Sequence, residues 1–533
     1  MSLFTDKNII TMKKIKNKSH VFLIVLLTIG SLVVTCIIIS YFCSPFSVPS
    51  NTIEQNKVLH AVEDYRADPH SYELENSNFT LIDMLLNGDN NLFEKYYTDY
   101  FSNIINTIKQ FYGTFTIPAW MRIPHKPLQE VENYHSDLDF NDIDNSSLPR
   151  VDVLLDPDYK LGKKEYTECC IKITNAGEYN LASCEAKIKI RGNSTSVSDK
   201  KPYKIKFLKK KAVLGGSKEK NWVLLANAND NTGLHNYVSL ELYRYLSAPG
   251  TFIPMVQFVN LYINGKYQGV YNLCDQIEPG KNRVPISSDI KARPEDTDYL
   301  IVNDDYASSI GQSGEKDVNW FWLDKSFTPI EIKSPDTSNE NYSTEYTDYI
   351  KNRIENIYNV ILSRDWEKIQ KSIDIDSMIN GFIVSIITDN VDIAYKSIYY
   401  YLPAGGKLTY GPVWDMDLTF GAGKTSFFVK ILGEKSELNA IWKQLMEIDE
   451  FKKAFCERFK TVYPNLESFI SEKINEAINI AGKELENEFM IRSRWVRYGD
   501  DGYTDAQSYE EAVSYMINWT HKRLNYLYSI YCN

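Results

Sequence analysis

The sequence predicts an α+β protein of two lobes, one rich in strands and one helical, behind an apolar N-terminal segment. Short β-type runs bounded by turn residues fill the stretch from about 150 to 303. Helical periodicity dominates beyond about residue 340, where a predicted strand pair near 397–417 interrupts it. A run without any charged residue, from His20 to Thr52, precedes both. Strands followed by helices along the chain are typical of α+β folds.

The composition is that of a folded, acidic chain. Its 533 residues suffice for two or three folded units with a large core. The 37 tyrosines and 24 phenylalanines exclude a disordered protein. The net charge of −11 is spread along the sequence, and we therefore expect no nucleic-acid partner.

The N-terminus predicts a membrane anchor over residues 21–43, a segment long enough to span a bilayer. Four lysines precede it closely, and Glu54 is the first charged residue after it. The positive-inside rule then places residues 1–20 in the cytoplasm and the rest of this single-pass protein outside the cell membrane. The alternative is a cleaved signal peptide, whose apolar region would normally be shorter.

The remaining chain divides by composition. We expect a stalk with a small helical region over residues 44–150 and a folded domain over residues 151–435. Residues 436–533 are expected to continue that domain as helices. Six cysteines follow the anchor without any C-x-x-C pair, which argues against a zinc site and leaves disulfide pairing open.

Six strands and one helix are predicted in the first half of the domain. Asn264-Gly265 predicts a type I′ hairpin. Apolar residues at helical spacing predict a helix capped by Asn231 or Thr232; they are Leu234, Val238, Leu242 and Tyr245. The predicted strands cover 151–156, 186–191, 203–208, 256–263, 268–273 and 298–303.

Two of these strands, joined by RGNST, predict a cationic sheet face. Charged residues alternate with apolar ones in both runs, so pairing would bring the cations to one face; they are Lys187, Lys189, Arg191, Lys204 and Lys206. The amides and hydroxyls of RGNST are suited to phosphate oxygens. The alternative is an ordinary solvated sheet face.

The segment GPVWDMDLTFG contains two acids, Asp415 and Asp417, at the end of an apolar run. In an extended strand, residues two apart share a face, so these carboxylates would repel each other unless a cation lay between them. Hard cations prefer carboxylate oxygens, which favours a Mg²⁺ site. The alternative is a solvated acidic turn.

A further acid, Asp392, lies where a helix gives way to a loop, 23 residues before Asp415. Phosphoryl transfer to a hydroxyl needs one carboxylate near the attacking oxygen and another that holds the metal. This spacing is compatible with both roles. The later FGAGKTS segment is not a Walker A loop, because Leu418 stands where that motif needs glycine.

Four stretches in this order resemble the CotH kinases, the spore-coat protein H family of atypical secreted protein kinases. The resemblance runs from about 150 to 430. The stretches are RGNSTSVSDKKPYKIKF, NWVLLANANDNTGLHNYVSLELYRYL, VNLYINGKYQGVYNLCDQIE and the Asp392 segment with WDMDLTFG.

The resemblance implies a two-lobed protein-kinase-like fold that transfers phosphate from ATP, with Mg²⁺ or Mn²⁺, to serine or threonine of a protein substrate. It implies that Asp392 is the catalytic-loop aspartate and Asp415 the metal ligand, with Asp417 as the second acid of the motif. The stretch that resembles the nucleotide-binding strands contains Arg191, Lys204 and Lys206.

One position departs from the family pattern. Five residues after the catalytic aspartate the family usually has asparagine, a second metal ligand, and here the residue is Ser397. A serine hydroxyl ligates Mg²⁺ less reliably than an amide oxygen. The leading hypothesis is an anchored extracytoplasmic kinase; the alternative is a weak or inactive relative that acts as a surface or spore-coat assembly module.

Overall fold

The described part of the chain begins at Ser146. The structure is a computed structural model that describes residues 146–156, 158, 160–192, 194–198, 200–304, 319–323, 325–326, 328–390, 392, 396–422, 440–492 and 506–532. The chain divides into two compact units, 1–125 and 126–533. The predicted anchor over 21–43 lies outside the described residues, as does the predicted stalk up to residue 145. Among the described helices, none has the length and apolar character needed to cross a membrane.

Seven strands close into a barrel in the order β1-β2-β3-β4-β5-β7-β6. All neighbours are antiparallel except β1 and β6, whose parallel pairing closes the barrel. The strands are β1 (Arg150–Leu154), β2 (Thr167–Thr174), β3 (Leu181–Ile190), β4 (Tyr203–Lys211), β5 (Glu219–Leu225), β6 (Val256–Ile263) and β7 (Lys266–Asp275).

The predicted pairing of the two cationic strands is confirmed. Strands β3 and β4 are antiparallel, with Ile188 opposite Ile205 and Lys189 opposite Lys204. The two isoleucines are buried in the barrel core, and the two lysines lie on the other face. The hairpin between β6 and β7 is also confirmed, since Asn264 and Gly265 have φ angles of 49° and 75°, as a type I′ turn requires.

A second sheet has the order β12-β11-β8-β10-β9, with antiparallel pairing throughout. Its strands are β8 (Tyr299–Asn303), β9 (Trp320–Leu323), β10 (Thr328–Ser334), β11 (Ile398–Leu402) and β12 (Thr409–Tyr410). Strand β11 comes from the helical half of the sequence and pairs with β8. The sequence does not predict β2, β5, β9 or β10; in β5 the continuous apolar run hides the alternation that identifies a strand.

The helix inside the strand-rich half is α1 (His235–Leu246). The predicted helix is confirmed; Leu234, Val238 and Leu242 are buried, whereas Tyr245 is 39% exposed. The predicted cap is wrong, because the helix starts three residues after Thr232. Asp230 reaches across the turn instead, and its Oδ2 accepts from the amide of His235 at 2.8 Å.

The helical half of the chain contains one long helix of 44 residues. The sequence has Ile441, Leu445 and Ile448 at helical spacing, and all three side chains are buried. All six described cysteines are free thiols.

The helices of this half are α2 (Thr344–Leu362), α3 (Trp366–Ser372), α4 (Ile375–Thr388), α5 (Ala440–Leu445), α6 (Asp449–Arg492) and α7 (Tyr509–Tyr531). The described domain therefore has a strand-rich part and a helical part, as the sequence predicts for an α+β fold.

Candidate functional site

The acidic loop, residues 411–418, follows β12 and contains Asp415 and Asp417. The predicted strand end is wrong: β12 stops at Tyr410, and Asp415 has a φ of 60°, in the left-handed region. Strand alternation therefore does not set the relation between the two carboxylates. Tertiary contacts fix them, and the first is a hydrogen bond of 3.1 Å from Ser397 Oγ to Asp415 Oδ2.

Asp417 is held from the barrel side. Its side chain is buried, and Oδ2 accepts from Asn229 Nδ2 at 3.0 Å. Its main-chain carbonyl accepts from His235 Nδ1 at 3.1 Å. The amide of Met416 donates to Asn236 Oδ1 at 3.0 Å. The start of α1 and the loop before it thus fix the backbone and the side chain of the acidic loop.

This contact extends into the barrel through side-chain amides. Asn236 Nδ2 donates to Asn227 Oδ1 at 2.9 Å, and Asn227 Nδ2 donates to Asn272 Oδ1 of β7 at 2.8 Å. His235 is fully buried, with Nε2 3.3 Å from Asp230 Oδ1, and burial lowers the pKa of this imidazole. Amide pairs have fixed donor and acceptor geometry, so the network gives the acidic loop a defined position against the barrel.

Asp392 lies in the loop that follows α4. The end of that helix is held by Arg523 of α7, which donates to Ile386 O at 2.8 Å and to Asp389 Oδ1 at 3.1 Å. The amide of Asp392 donates to Asn390 Oδ1 at 3.0 Å. Asn390 Nδ2 also contacts Met416 Sδ at 3.3 Å, which joins this loop to the acidic loop.

The carboxylates of the two loops influence one another. Burial raises the pKa of Asp392 to about 7; Lys396 opposes this rise, and the charges of Asp415 and Asp304 add to it. Burial also raises the pKa of Asp417 well above its usual value, and Asp415 and Asp392 raise it further. A bound cation would relieve this repulsion. Among the described residues, no group of three or more His, Cys, Asp or Glu is placed to hold a metal ion by itself.

Cations lie on the other side of the site. Burial lowers the pKa of Lys204 to about 8; Glu278 opposes this, and nearby cations, including Arg191 and Lys333, lower it further. The guanidinium of Arg191 lies 5.6 Å from the ring centroid of Trp414, the residue before Asp415. The structure therefore brings Arg191 to the acidic loop and Lys204 into the same cationic group.

Lys206 lies apart from that group. It is exposed, two residues farther along β4 than Lys204, and its charge acts on Asp336 in the loop after β10. The sequence places it on the same sheet face as Lys204, but the structure shows its side chain in a more solvated position. Its predicted role at the nucleotide stays a prediction.

Several residues of the site were not anticipated from the sequence. Asp304 follows β8, whose last residue Asn303 pairs with Ile398, and its charge acts on Asp392. Lys333 belongs to β10, which the sequence does not predict. Asn229 lies in a segment that resembles the family, but nothing local to that segment indicates a contact with Asp417 across 188 positions.

The donor set suits a nucleotide with its divalent cation. Mg²⁺ is usually held by one or two carboxylates together with phosphate oxygens, and Asp415, Asp417 and the hydroxyl of Ser397 offer hard oxygen atoms of that kind. Arg191 and Lys204 supply the positive charge that phosphates require. Burial and, to a smaller extent, the neighbouring carboxylates raise the pKa values of Asp392 and Asp417, and a cation at this position would favour their ionised forms.

A family model described as CotH kinase protein matches residues 188–527. The match runs from the end of β3 into α7 and contains all the candidate site residues. A search of the curated proteins found no match.

We expect the metal-free protein to become less stable as the pH rises from about 4 to about 7. The raised pKa of Asp392, about 7, means that the folded state holds this proton more tightly than the unfolded chain, where aspartate titrates near ~3.9. The proton on Asp392 stabilises the folded state fully at pH values below the pKa of this group in the unfolded chain. This stabilisation is lost as the pH rises through the pKa of the group in the folded state. Asp392→Asn should remove the part of this dependence that comes from Asp392, so the stability of the variant relative to wild type should grow by about 1 kcal/mol per pH unit.

Urea unfolding of both proteins in EDTA, at several pH values across that range, measures the difference. Asp289→Asn is the control, because hydrogen bonds from Lys291 and Ser287 keep the pKa of this exposed carboxyl below its usual value. Parallel stability curves for wild type and Asp392→Asn would contradict the prediction.

Proposed function

The chain belongs to the CotH kinase family, and from this we propose that it is an atypical protein kinase that transfers the γ-phosphate of ATP to serine or threonine of a secreted or spore-coat protein. One observation supports this proposal above the others. The carboxylates of Asp392, Asp415 and Asp417 influence one another electrostatically, while Arg191 approaches the same acidic loop from the barrel.

Asp392 acts on the acceptor hydroxyl in this proposal. Its pKa of about 7 lies near the working pH, where a carboxylate is most effective as a general base. The hydrogen bond from its amide to Asn390 and the capped end of α4 orient the loop that carries it. The acceptor serine or threonine would donate its proton to this carboxylate as it attacks.

Asp415 and Asp417 hold the divalent cation, Mg²⁺ or Mn²⁺, with Ser397 as a further oxygen ligand. The cation, when bound, neutralises phosphate charge during transfer. Arg191 and Lys204 add positive charge from the barrel, and Lys206 extends the cationic face. The Asn229 hydrogen bond keeps the Asp417 carboxylate in one orientation, so little rearrangement is needed when the nucleotide binds.

The setting of the reaction belongs to the same proposal. The apolar segment over 21–43 supports a single-pass anchor in the cell membrane, with residues 1–20 inside and the kinase-like domain outside. The partner is then an extracytoplasmic protein substrate with serine or threonine acceptors, and the membrane is contacted through the apolar N-terminal segment.

Protease treatment of intact cells should digest the domain and spare the lysine-rich tail, because only the domain is then accessible. Antibodies against each end of the chain would follow the two parts, with detergent-permeabilised cells as the control. A domain that resists protease in intact cells but not in permeabilised cells would contradict the proposed orientation.

A second candidate function is an inactive relative that serves as a surface or spore-coat assembly module. The observation that favours it is Ser397, whose hydroxyl donates to Asp415 at 3.1 Å instead of presenting an amide oxygen. Such a module would keep the fold and bind partners without transferring phosphate.

Asp415→Asn should abolish phosphate transfer and weaken Mg²⁺-dependent ATP binding, because it removes the negative charge that holds the cation. Asp392→Asn should abolish transfer and leave binding close to wild type. We expect a rate loss of about 100-fold or more in each case. Calorimetry with and without Mg²⁺, together with incorporation of labelled phosphate, separates the two effects.

Asp376→Asn, an exposed acid at the start of α4, is the matched control and should behave as wild type. Undiminished transfer in a folded Asp415→Asn protein would remove Asp415 from the site. Nucleotide binding without any transfer in wild type would favour the inactive assembly module.

Ser397→Asn should restore the usual ligand of the family and lower the Mg²⁺ concentration needed for ATP binding. An amide oxygen is a good ligand for a hard cation, and Mg²⁺ tolerates little departure from octahedral geometry. Asparagine also accepts the positive φ of 56° at this position more readily than most residues. The measurement is a Mg²⁺ titration of ATP binding and of autophosphorylation.

Asp392→Asn in the same background should keep the improved binding and lose transfer. Ser363→Asn, a serine at the exposed end of α2, controls for the substitution itself. An unchanged Mg²⁺ dependence in Ser397→Asn would show that position 397 is not a metal ligand.

A further inference from the structure

A buried ion pair joins the barrel to the far end of helix α6. Lys200, which precedes β4, is 5% exposed, and its ammonium pairs with the carboxylate of Glu488. The same ammonium donates to Val270 O at 2.5 Å and lies 4.9 Å from the ring centroid of Tyr271. Glu488 Oε2 accepts from Val270 N at 2.6 Å. Both ions therefore have hydrogen-bond partners, as a buried pair needs to be stable.

Gly269 makes room for this contact. Its φ is 112°, a conformation that residues with a side chain rarely adopt. A Cβ atom there would lie 2.8 Å from Glu488 Oε2 and 3.1 Å from Lys200 Cε. A side chain at this position would push the two ions away from β7, so the close approach depends on glycine.

The ion pair holds one end of the segment between β3 and β4, which contains the RGNST motif. At the base of this segment, the amide of Arg191 donates to Pro202 O at 3.0 Å. Tyr271 Oη donates to Lys201 O at 3.0 Å. Since Arg191 lies over Trp414 of the acidic loop, the pose of this segment sets where its guanidinium stands relative to Asp415.

Helix α6 also contacts the element that leads to Asp392. Arg458 Nε donates to Asn380 Oδ1 of α4 at 3.1 Å, and Arg458 Nη2 donates to Leu246 O at the end of α1 at 2.8 Å. The 30 residues from Arg458 to Glu488 correspond to about 45 Å of continuous helix. One helix thus connects the side of the site with the candidate base to the side with the candidate phosphate segment.

We propose that Lys200 and Glu488 are positioning residues for the nucleotide, acting on Arg191 through the neighbouring Lys201 and Pro202. The inference rests on the proposed function, because it assumes that the ATP phosphates lie between the acidic loop and the end of β3, which Arg191 follows. Both ions already bond to the protein, so neither is a catalytic residue. The two ions act by fixing the position of the Arg191 guanidinium, and a small displacement of this guanidinium is enough to weaken phosphate binding.

The test uses the full chain with Lys200→Met, Glu488→Gln and the double variant. Each single variant should raise the Kd for Mg–ATP and the KM for ATP about tenfold, with a smaller change in kcat and an unchanged KM for the protein substrate. The double variant should resemble the single variants, because two residues that act as one unit do not add. Glu486→Gln, an exposed neighbour on the same helix, should retain wild-type values.

Two comparisons make the outcome decisive. Wild-type ATP affinity in a folded Glu488→Gln protein, with only a lower melting temperature, would show that the pair is structural and would overturn the inference. If Glu488→Gln does not fold, Lys200→Arg keeps the charge but changes its geometry, and unchanged ATP affinity in that variant overturns the inference equally. A wild-type protein that binds no Mg–ATP overturns the proposed function itself, whereas normal binding in all variants overturns the positioning role alone.

Discussion

The candidate site depends on holding the acidic loop close to the loop that carries Asp392, although the carboxylates of the two loops repel each other. The hydrogen bond from Met416 N to Asn236 Oδ1 is central to this, because it ties the backbone between Asp415 and Asp417 to the start of α1. Asn227 and Asn272 carry the connection into β7. Neutral amides suit this task, since they orient the acidic backbone without neutralising the carboxylates that a cation would need.

Opposite charges then meet across the site from different parts of the fold. Arg191 and Lys204 come from the barrel, whereas Asp392 comes from the helical part and the acidic loop follows the second sheet. Burial disfavours the charged forms, and this raises the pKa of Asp392 and lowers that of Lys204. Acidic groups with raised pKa values together with basic groups with lowered pKa values are characteristic of sites that bind and transfer charged groups.

The C-terminal helices contribute to the site although none of the candidate residues lies on them. Arg523 of α7 holds the end of α4 before Asp392, and Glu488 of α6 holds the segment that begins with Arg191. These contacts lie within the family match, which extends to residue 527, well beyond the last candidate site residue. The helical continuation is thus part of the support for both sides of the site.

The sequence by itself determined the elements whose pattern is local. Alternation predicted β3 and β4 and their cationic face, Asn264-Gly265 predicted the hairpin, and the change from helix to loop located Asp392. These features follow from the chemistry of neighbouring residues, which a single stretch of sequence contains.

The tertiary structure alone decided the geometry of the site. It placed Asp415 in a left-handed turn instead of a strand, brought the charge of Asp304 to bear on Asp392, and joined Lys200 to Glu488 across 288 positions. Local patterns cannot encode such relations, because each depends on where distant elements pack. Strand register and buried ion pairs are settled only when the whole core has formed, and the positions of the charged groups follow from them.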